Sequence, residues 1–206
     1  MNVDTPHGPA RVHLHPADGD PVAALVLGHG AGGGVGAPDL VRATEVANGE
    51  AVSVALIEQP YRVAGRKSPA PPKQLDAAWL AVVEHLRAGP FEGLALIAGG
   101  RSMGARVACR TAAESAAVAV LCLAFPVHPP GRPEKSRLEE LDAVEVPALV
   151  VQGTRDPFGM PPPASGREVV QVDGDHGLKA DLDSLAGAVQ DWLKRVTSAP
   201  RAPAGP

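Results

Sequence analysis

Aromatic side chains are scarce in this chain: three Phe, two Trp and one Tyr make up 3% of its 206 residues. That excludes a core of large ring systems, so the interior has to be filled by Ala, Val and Leu, drawn from a hydrophobic share of 45%. Cysteine is nearly absent as well. Cys109 and Cys122 fall in a predicted helix and a predicted strand, where they read as small buried hydrophobes rather than a disulfide. Long hydrophobic runs are missing: the longest, Ala116 to Phe125, falls well short of the ~20 residues of a membrane-spanning helix. The opening Met1-Asn2-Val3-Asp4-Thr5-Pro6-His7 lacks the basic and apolar regions of a signal peptide, so a soluble cytoplasmic location is expected. No strong charge of one sign is present either. A net charge of −4 and a pI of about 6.0 give no reason to expect nucleic acid or a membrane surface as partner.

Short apolar runs alternating with helical patterns are what the chain does contain, and they predict an α/β fold with a mostly parallel sheet. Arg11 to His15 alternates and reads as an edge strand. Val22 to Leu27, Val52 to Ile57, Leu94 to Gly99, Val118 to Phe125, Pro147 to Gln152 and Glu168 to Val172 read as further strands. Helices are expected over Asp39 to Asn48, around Leu75, Trp79, Val82, Val83 and Leu86, after residue 104, over Leu138 to Val144 and over Leu182 to Val196. One domain over 11–196 follows, with a flexible N-terminus at 1–10 and a disordered Pro/Ala-rich tail at 197–206. Nothing between Phe125 and Pro147 is long enough to form a large cap.

Gly100-Arg101-Ser102-Met103-Gly104 is a G-x-S-x-G, with an apolar strand before it and an alanine-rich helix after it. Strand, glycine-flanked turn and helix together make a nucleophile elbow, which stands a serine oxygen clear of the sheet. A serine attacks only when a histidine takes its proton, and the histidine needs a carboxylate to fix its tautomer. Asp156, in Gly153-Thr154-Arg155-Asp156-Pro157, and His176, in Asp173-Gly174-Asp175-His176-Gly177, follow late strands in the order Ser, acid, His. Asp173 and Asp175 are competing carboxylates, too close in sequence to His176 for an easy side-on approach. As plain loop residues, Asp156 would cap a turn and His176 would sit among turn formers.

Gly28-His29-Gly30-Ala31-Gly32-Gly33-Gly34 follows the first buried strand and suits an oxyanion hole, with the N–H groups of Ala31 and Met103 as its donors. The same loop formally matches G-x-G-x-x-G through Gly28, Gly30 and Gly33, which keeps a nucleotide-binding alternative open. It lacks the Gly-Lys-Ser/Thr ending of a P-loop. His29, Tyr61, Arg62, Arg66 and Arg101 are assigned to substrate binding; the arginines, with Lys67, would attract a carboxylate or phosphate. A solvated basic loop is the alternative. His13 and His15 lack further ligands for a metal, and His128 is a candidate pocket residue. No metal or organic cofactor is expected.

Four segments carry a resemblance: Gly28-His29-Gly30-Ala31-Gly32; Glu58-Gln59-Pro60-Tyr61 with Gly65-Arg66 and Pro71-Pro72; Gly99-Gly100-Arg101-Ser102-Met103-Gly104; and Gly153-Thr154-Arg155-Asp156. Over roughly residues 10 to 196 the chain resembles the small, capless α/β-hydrolases of the dienelactone-hydrolase-like kind. It resembles more closely the testis-expressed-protein-like set, which includes a subunit of a histone-acetyltransferase complex. The resemblance implies a nucleophile at Ser102, an acid at Asp156 and a base at His176. The expected activity is hydrolysis of a small ester or thioester through an acyl-enzyme. The alternatives are a non-catalytic interaction module and an acyltransferase on the same scaffold.

Overall fold

Unbroken runs of Val, Leu and Ala make strands that are apolar on both faces, and such strands need cover on both. The computed structural model describes residues 1–198. Its strands are β1 (Asn2–Val3), β2 (Ala10–His15), β3 (Ala23–Gly28), β4 (Val52–Glu58), β5 (Ala95–Arg101), β6 (Ala119–Leu123), β7 (Ala148–Gly153) and β8 (Arg167–Val172). Its helices are α1 (Pro38–Gly49), α2 (Pro60–Val63), α3 (Pro72–Arg87), α4 (Met103–Thr111), α5 (Leu138–Asp142) and α6 (Leu182–Ser198). One sheet runs β1-β2-β4-β3-β5-β6-β7-β8. The first two pairings are antiparallel and all the others parallel.

Alternate residues of each strand serve opposite cores. Leu25, Leu27, Ile97, Leu121 and Val151 point to the face covered by α1 and α6, where they meet Leu40, Ala43, Trp192 and Leu193. Val26, Ala98, Val120, Cys122 and Val150 point to the other face, against Trp79 and Val82 of α3 and Val107 and Ala108 of α4. Cys109 and Cys122 are buried free thiols with Sγ atoms 3.5 Å apart. Their contact and their burial hold the Cys109 thiol well above its usual pKa, hence protonated.

Three expectations need correction. Residues 1–10 are not a flexible N-terminus: Asn2 and Val3 pair with Arg11 and Ala10, and Val3 and Ala10 are buried. The Arg11 to His15 segment is therefore not the edge strand, since β1 lies outside it. Buried Val3 and two backbone bonds between Met1 and Val12, at 2.7 and 2.8 Å, tie so short a strand down. The third is a boundary: α6 runs through Ser198, two residues into the segment expected as a tail; 199–206 lie outside the described residues.

The chain leaves β3 towards β4 and then returns to place β5 on the other side of β3. That reversal opens a crevice at the carboxyl ends of β3 and β5, where open α/β sheets place their ligand sites. The connection from β6 to β7 forms no cap. Its helix α5 is spent on α4, through a two-pronged contact from Arg106 to Glu140 at 2.7 and 2.5 Å.

The start of α4 presses on β3 with no side chain between them. A Cβ on Gly104 would stand 2.2 Å from the carbonyl oxygen of Gly28. Gly104→Ala is therefore expected to destabilise by about 3 kcal/mol or more through overpacking. Gly187→Ala, in an open stretch of α6 with nothing within 4 Å of the added carbon, is expected to stabilise by up to ~1 kcal/mol. Urea denaturation of both variants checks the pair; equal effects would mean that α4 can shift away from β3.

Candidate active site

Ser102 occupies the apex between β5 and α4 at φ 52°, ψ −107°. A non-glycine residue at positive φ is strained by roughly 1–3 kcal/mol and needs surroundings that over-determine it. Here the Ser102 N–H donates to Leu123 O at 2.9 Å, and the Ser102 carbonyl accepts from Arg106 N at 3.2 Å. Gly100 completes the constraint: a Cβ there would meet the Gly28 carbonyl at 2.6 Å.

The loops after β7 and β8 carry Asp156 and His176 to this serine. His176 Nδ1 lies 2.8 Å from Asp156 Oδ2, and Nε2 lies 2.8 Å from Ser102 Oγ. A carboxylate only accepts, so Nδ1 carries the proton and Nε2 is free to accept from the serine hydroxyl. Asp156 is almost wholly buried, with 1% of its side chain exposed against 17% for His176. Its other oxygen accepts from Phe158 N at 2.8 Å. Gln152 Nε2 donates to Asp156 Oδ2 at 2.8 Å and sits among the carbonyls of Gly159 and Phe125 at 2.8 and 3.1 Å. With acceptors on that side only, the Gln152 amide has one workable orientation. Phe158 stacks on His176, ring centroids 4.0 Å apart and planes 27° apart. Gln152 and Phe158 escaped sequence reasoning; neither belongs to a motif, and an apolar strand end and a Pro-Phe turn give no signal. Asp173, the competing carboxylate, pairs with Arg155, and Asp175 bonds to Gly177 N at 2.8 Å. Neither reaches the His176 ring.

The glycine-rich loop after β3 is braced from below. The backbone N–H of Gln59 donates to His29 Nε2 at 3.2 Å, so the proton of this ring is on Nδ1, which donates to Gly30 O at 2.8 Å. Gly30 O and Ala31 N belong to one peptide, so His29 fixes the plane in which Ala31 presents its N–H. Tyr61 holds the next peptide, its hydroxyl donating to Ala31 O at 3.0 Å. Among the described residues the N–H groups of Ala31 and Met103 have no acceptor, which leaves both for an incoming oxygen.

Three side chains assigned to substrate binding are thus part of the frame. His29 is wholly buried with both ring nitrogens engaged. Tyr61 is buried, which pushes its hydroxyl up to about 12. Arg101 is paired with buried Asp39, Nε to Oδ2 at 2.8 Å, and donates from Nη2 to His176 O at 2.8 Å. In each case a buried polar group found an internal partner. Arg62 is half-buried and Arg66 exposed; among the described residues no hydrogen bond or ion pair joins either to Ser102 or His176. Arg66 instead borders a cavity of about 210 Å³ with Gln59, Tyr61 and Leu75. A larger hollow, about 1270 Å³, lies at the other end of the sheet among Ala23, Ala95, Ala148 and Arg167, away from this chemistry. No group of three or more His, Cys, Asp or Glu side chains suited to a metal occurs among the described residues, and no helix among them is long and apolar enough to cross a membrane.

A family model described as an alpha/beta hydrolase domain matches residues 21–199. The chain belongs to that family. Solved structures share its fold at low identity. XC6422 from Xanthomonas campestris, described as an a/b serine hydrolase without lid, superposes with a TM-score of 0.77 at 22% identity, over 98% of this chain and 95% of that one. Est1E from Butyrivibrio proteoclasticus gives 0.76 at 15%, over 97% and 99%. A dienelactone hydrolase from Anabaena variabilis gives 0.74 at 17%, over 95% of each. This α/β-hydrolase domain shares its fold with solved serine hydrolases and esterases, and no large cap is present among the described residues.

Burial dominates the titration of His29 and lowers its pKa below the ordinary 6.5, against the opposing bond to Gly30. Below pH 6.5 the unfolded chain therefore binds a proton that the folded chain refuses, and stability falls as the pH falls. Asp39 acts in the opposite sense. Its pKa is raised by burial against the pull of Arg101, so its cost grows as pH rises from the ordinary 3.8. His29→Asn keeps a donor for Gly30 and removes the titrating group. The loss of thermal stability between pH 7.5 and pH 5.5 is expected to be smaller in this variant than in wild type. Equal losses would mean that His29 is not held neutral.

Proposed function

We propose that this α/β-hydrolase cleaves a small carboxylic ester or thioester through an acyl-enzyme on Ser102. The carrying observation is the unbroken chain from Ser102 Oγ to His176 to Asp156, with 2.8 Å at each step. Ser102 attacks the acyl carbon as His176 Nε2 takes its proton. Asp156, buried beside Nδ1, holds the ring and balances the imidazolium. The N–H groups of Ala31 and Met103 receive the charge that develops on the carbonyl oxygen; each such donor is worth about 10²–10³ in rate. His176 then returns the proton to the departing alcohol or thiol, and the acyl group remains on Ser102. Water then gives a proton to the same nitrogen as its oxygen attacks the acyl carbon; the bond from that carbon to Oγ breaks, His176 returns the proton to Ser102 Oγ, and the acid leaves.

The chain's own groups supply a nucleophile, a base and an electrophilic pocket, so this chemistry needs no cofactor. Small substrates suit a site without a lid, whose binding energy comes from the crevice alone. A cytoplasmic location is part of this reading.

Labelling by a fluorophosphonate probe tests the proposal. Wild type is expected to label in a time-dependent way, with no labelling of Ser102→Ala. Labelling of His176→Ala and Asp156→Asn is expected to slow by on the order of 10⁴. A folded wild type that does not label would defeat the hydrolase reading and favour an interaction module.

A further inference from the structure

Arg101 precedes the nucleophile, and its side chain turns inward. Its guanidinium lies against three separate segments, one helix start and two loops. Nε lies 2.8 Å from Oδ2 of Asp39, in the first turn of α1. Nη2 donates to the backbone oxygen of His176 at 2.8 Å. Nη1 lies against Gly30, where a Cβ would meet it at 2.7 Å. The Asp39 side chain has no exposure and Arg101 only 17%. The Nε–Oδ2 contact is short but too bent for a hydrogen bond, so it acts as an ion pair. Asp39 is itself fixed, Oδ1 accepting from Leu40 N at 3.0 Å.

This arrangement leaves little of the arginine for a substrate anion. Its charge is matched by a buried carboxylate, and its plane is filled by contacts from the molecule's own loops. What it does reach is the His176 backbone. The turn that carries His176 includes Gly174 at φ 135°; Gly174 O accepts from Arg155 N at 2.9 Å, and beyond it, among the described residues, Asp175 bonds only within the turn, to Gly177 N and Leu178 N. The bond from Arg101 reaches across 75 residues of sequence. It fixes the main chain from which the imidazole must span Asp156 and Ser102 at 2.8 Å on each side.

We propose that Arg101 is a positioning residue: anchored on Asp39, its planar fork holds the His176 main chain so that the imidazole bridges Asp156 and Ser102. The proposal rests on the reading of Ser102 as nucleophile. Arg101→Met would strand a buried carboxylate, so the discriminating variant is Arg101→Lys. A lysine keeps the charge beside Asp39, but a single ammonium on a flexible stem cannot reproduce the fork to Asp39, His176 O and the Gly30 backbone. Displacing a proton acceptor by about 1 Å costs on the order of 10²-fold in rate.

Wild type, Arg101→Lys, His176→Ala and the double variant are each followed with excess fluorophosphonate, reading both the rate constant and the final labelled fraction. A low-field proton spectrum reads the His176 Nδ1–H, assigned by its loss in His176→Ala. Arg101→Lys is expected to label to completion with unchanged probe affinity and a rate constant about 10–100-fold lower. Its low-field proton is expected to broaden or vanish. In the His176→Ala background the lysine is expected to add nothing, because the arginine acts through that histidine. A rate within twofold of wild type overturns the proposal. So does a reduced labelled fraction at the wild-type rate, which would mark a purely structural role. So does an equal slowing without His176. Should Arg101→Lys not fold, Asp39→Asn removes the anchor and is expected to slow labelling in the same way. If wild type does not label, the hydrolase reading fails and the proton spectrum alone decides: a signal present in wild type and lost with the lysine upholds the clamp, and one unchanged by it overturns it.

Discussion

The rest of the site depends on the contact of Gly104 with Gly28. Two backbones meet there at a distance no side chain permits, since a Cβ on Gly104 would fall 2.2 Å from the Gly28 carbonyl oxygen. That approach brings the first turn of α4 to the carboxyl end of β3. It compresses the link between β5 and α4 into a single residue, and Ser102 takes up the compression at φ 52°. The strain persists because both of its peptide groups are bonded, to Leu123 O and Arg106 N. The Met103 N–H and the loop after β3 then lie at the same end of the sheet by construction. The strained Ser102 and the Met103 N–H beside the β3 loop share one cause.

Everything else at that end is a loop, and loops move unless tied. Each is tied by a buried polar group facing inward. His29 and Tyr61 hold the peptides around Ala31; Gln152 and the Phe158 N–H hold Asp156; Arg101 holds the His176 backbone. A buried polar group left unmatched costs more than a matched one contributes, so such networks favour one arrangement over near alternatives. The scarcity of aromatics bears on this. With Ala, Val and Leu filling both cores, packing sets the positions of strands and helices, while directional bonds set the loops.

Much of this was legible in the sequence. The parallel strands announced themselves as apolar runs because both faces are covered, as Leu25 and Val26 show by pointing into different cores. Ser102, Asp156 and His176 stood out because each sits in a turn after a strand, in the chain order this fold uses. What the sequence hides is which polar side chains turn inward. Arg101 and Arg66 are both arginines beside glycines; one ends beside buried Asp39 and the other in solvent. Asp39 read only as an acid opening a helix. Such roles are decided by partners far away along the chain: Arg101 and His176 are separated by 75 residues, Gln59 and His29 by 30. Local pattern carries no trace of these pairs. The amino terminus was misread for a similar reason, because a two-residue strand has no periodicity to detect and is fixed by its partner, Ala10–Arg11.

His29 and His176 show how one residue type serves two purposes on a single sheet end. Both carry their proton on Nδ1, as judged from their partners. The difference lies in what those partners are. His29 gives its proton to a neutral carbonyl and receives a backbone N–H on Nε2, in a wholly buried place. A second proton there would face the Gln59 N–H and find no acceptor, so burial keeps the ring neutral and the ring acts as a brace. His176 gives its proton to a carboxylate and receives only a hydroxyl, whose own proton can move. Its partner Asp156 is almost wholly buried, while the ring keeps 17% of its side chain exposed. The base role proposed for His176 therefore rests on a carboxylate at one nitrogen and a hydroxyl at the other. The frame histidine lacks both.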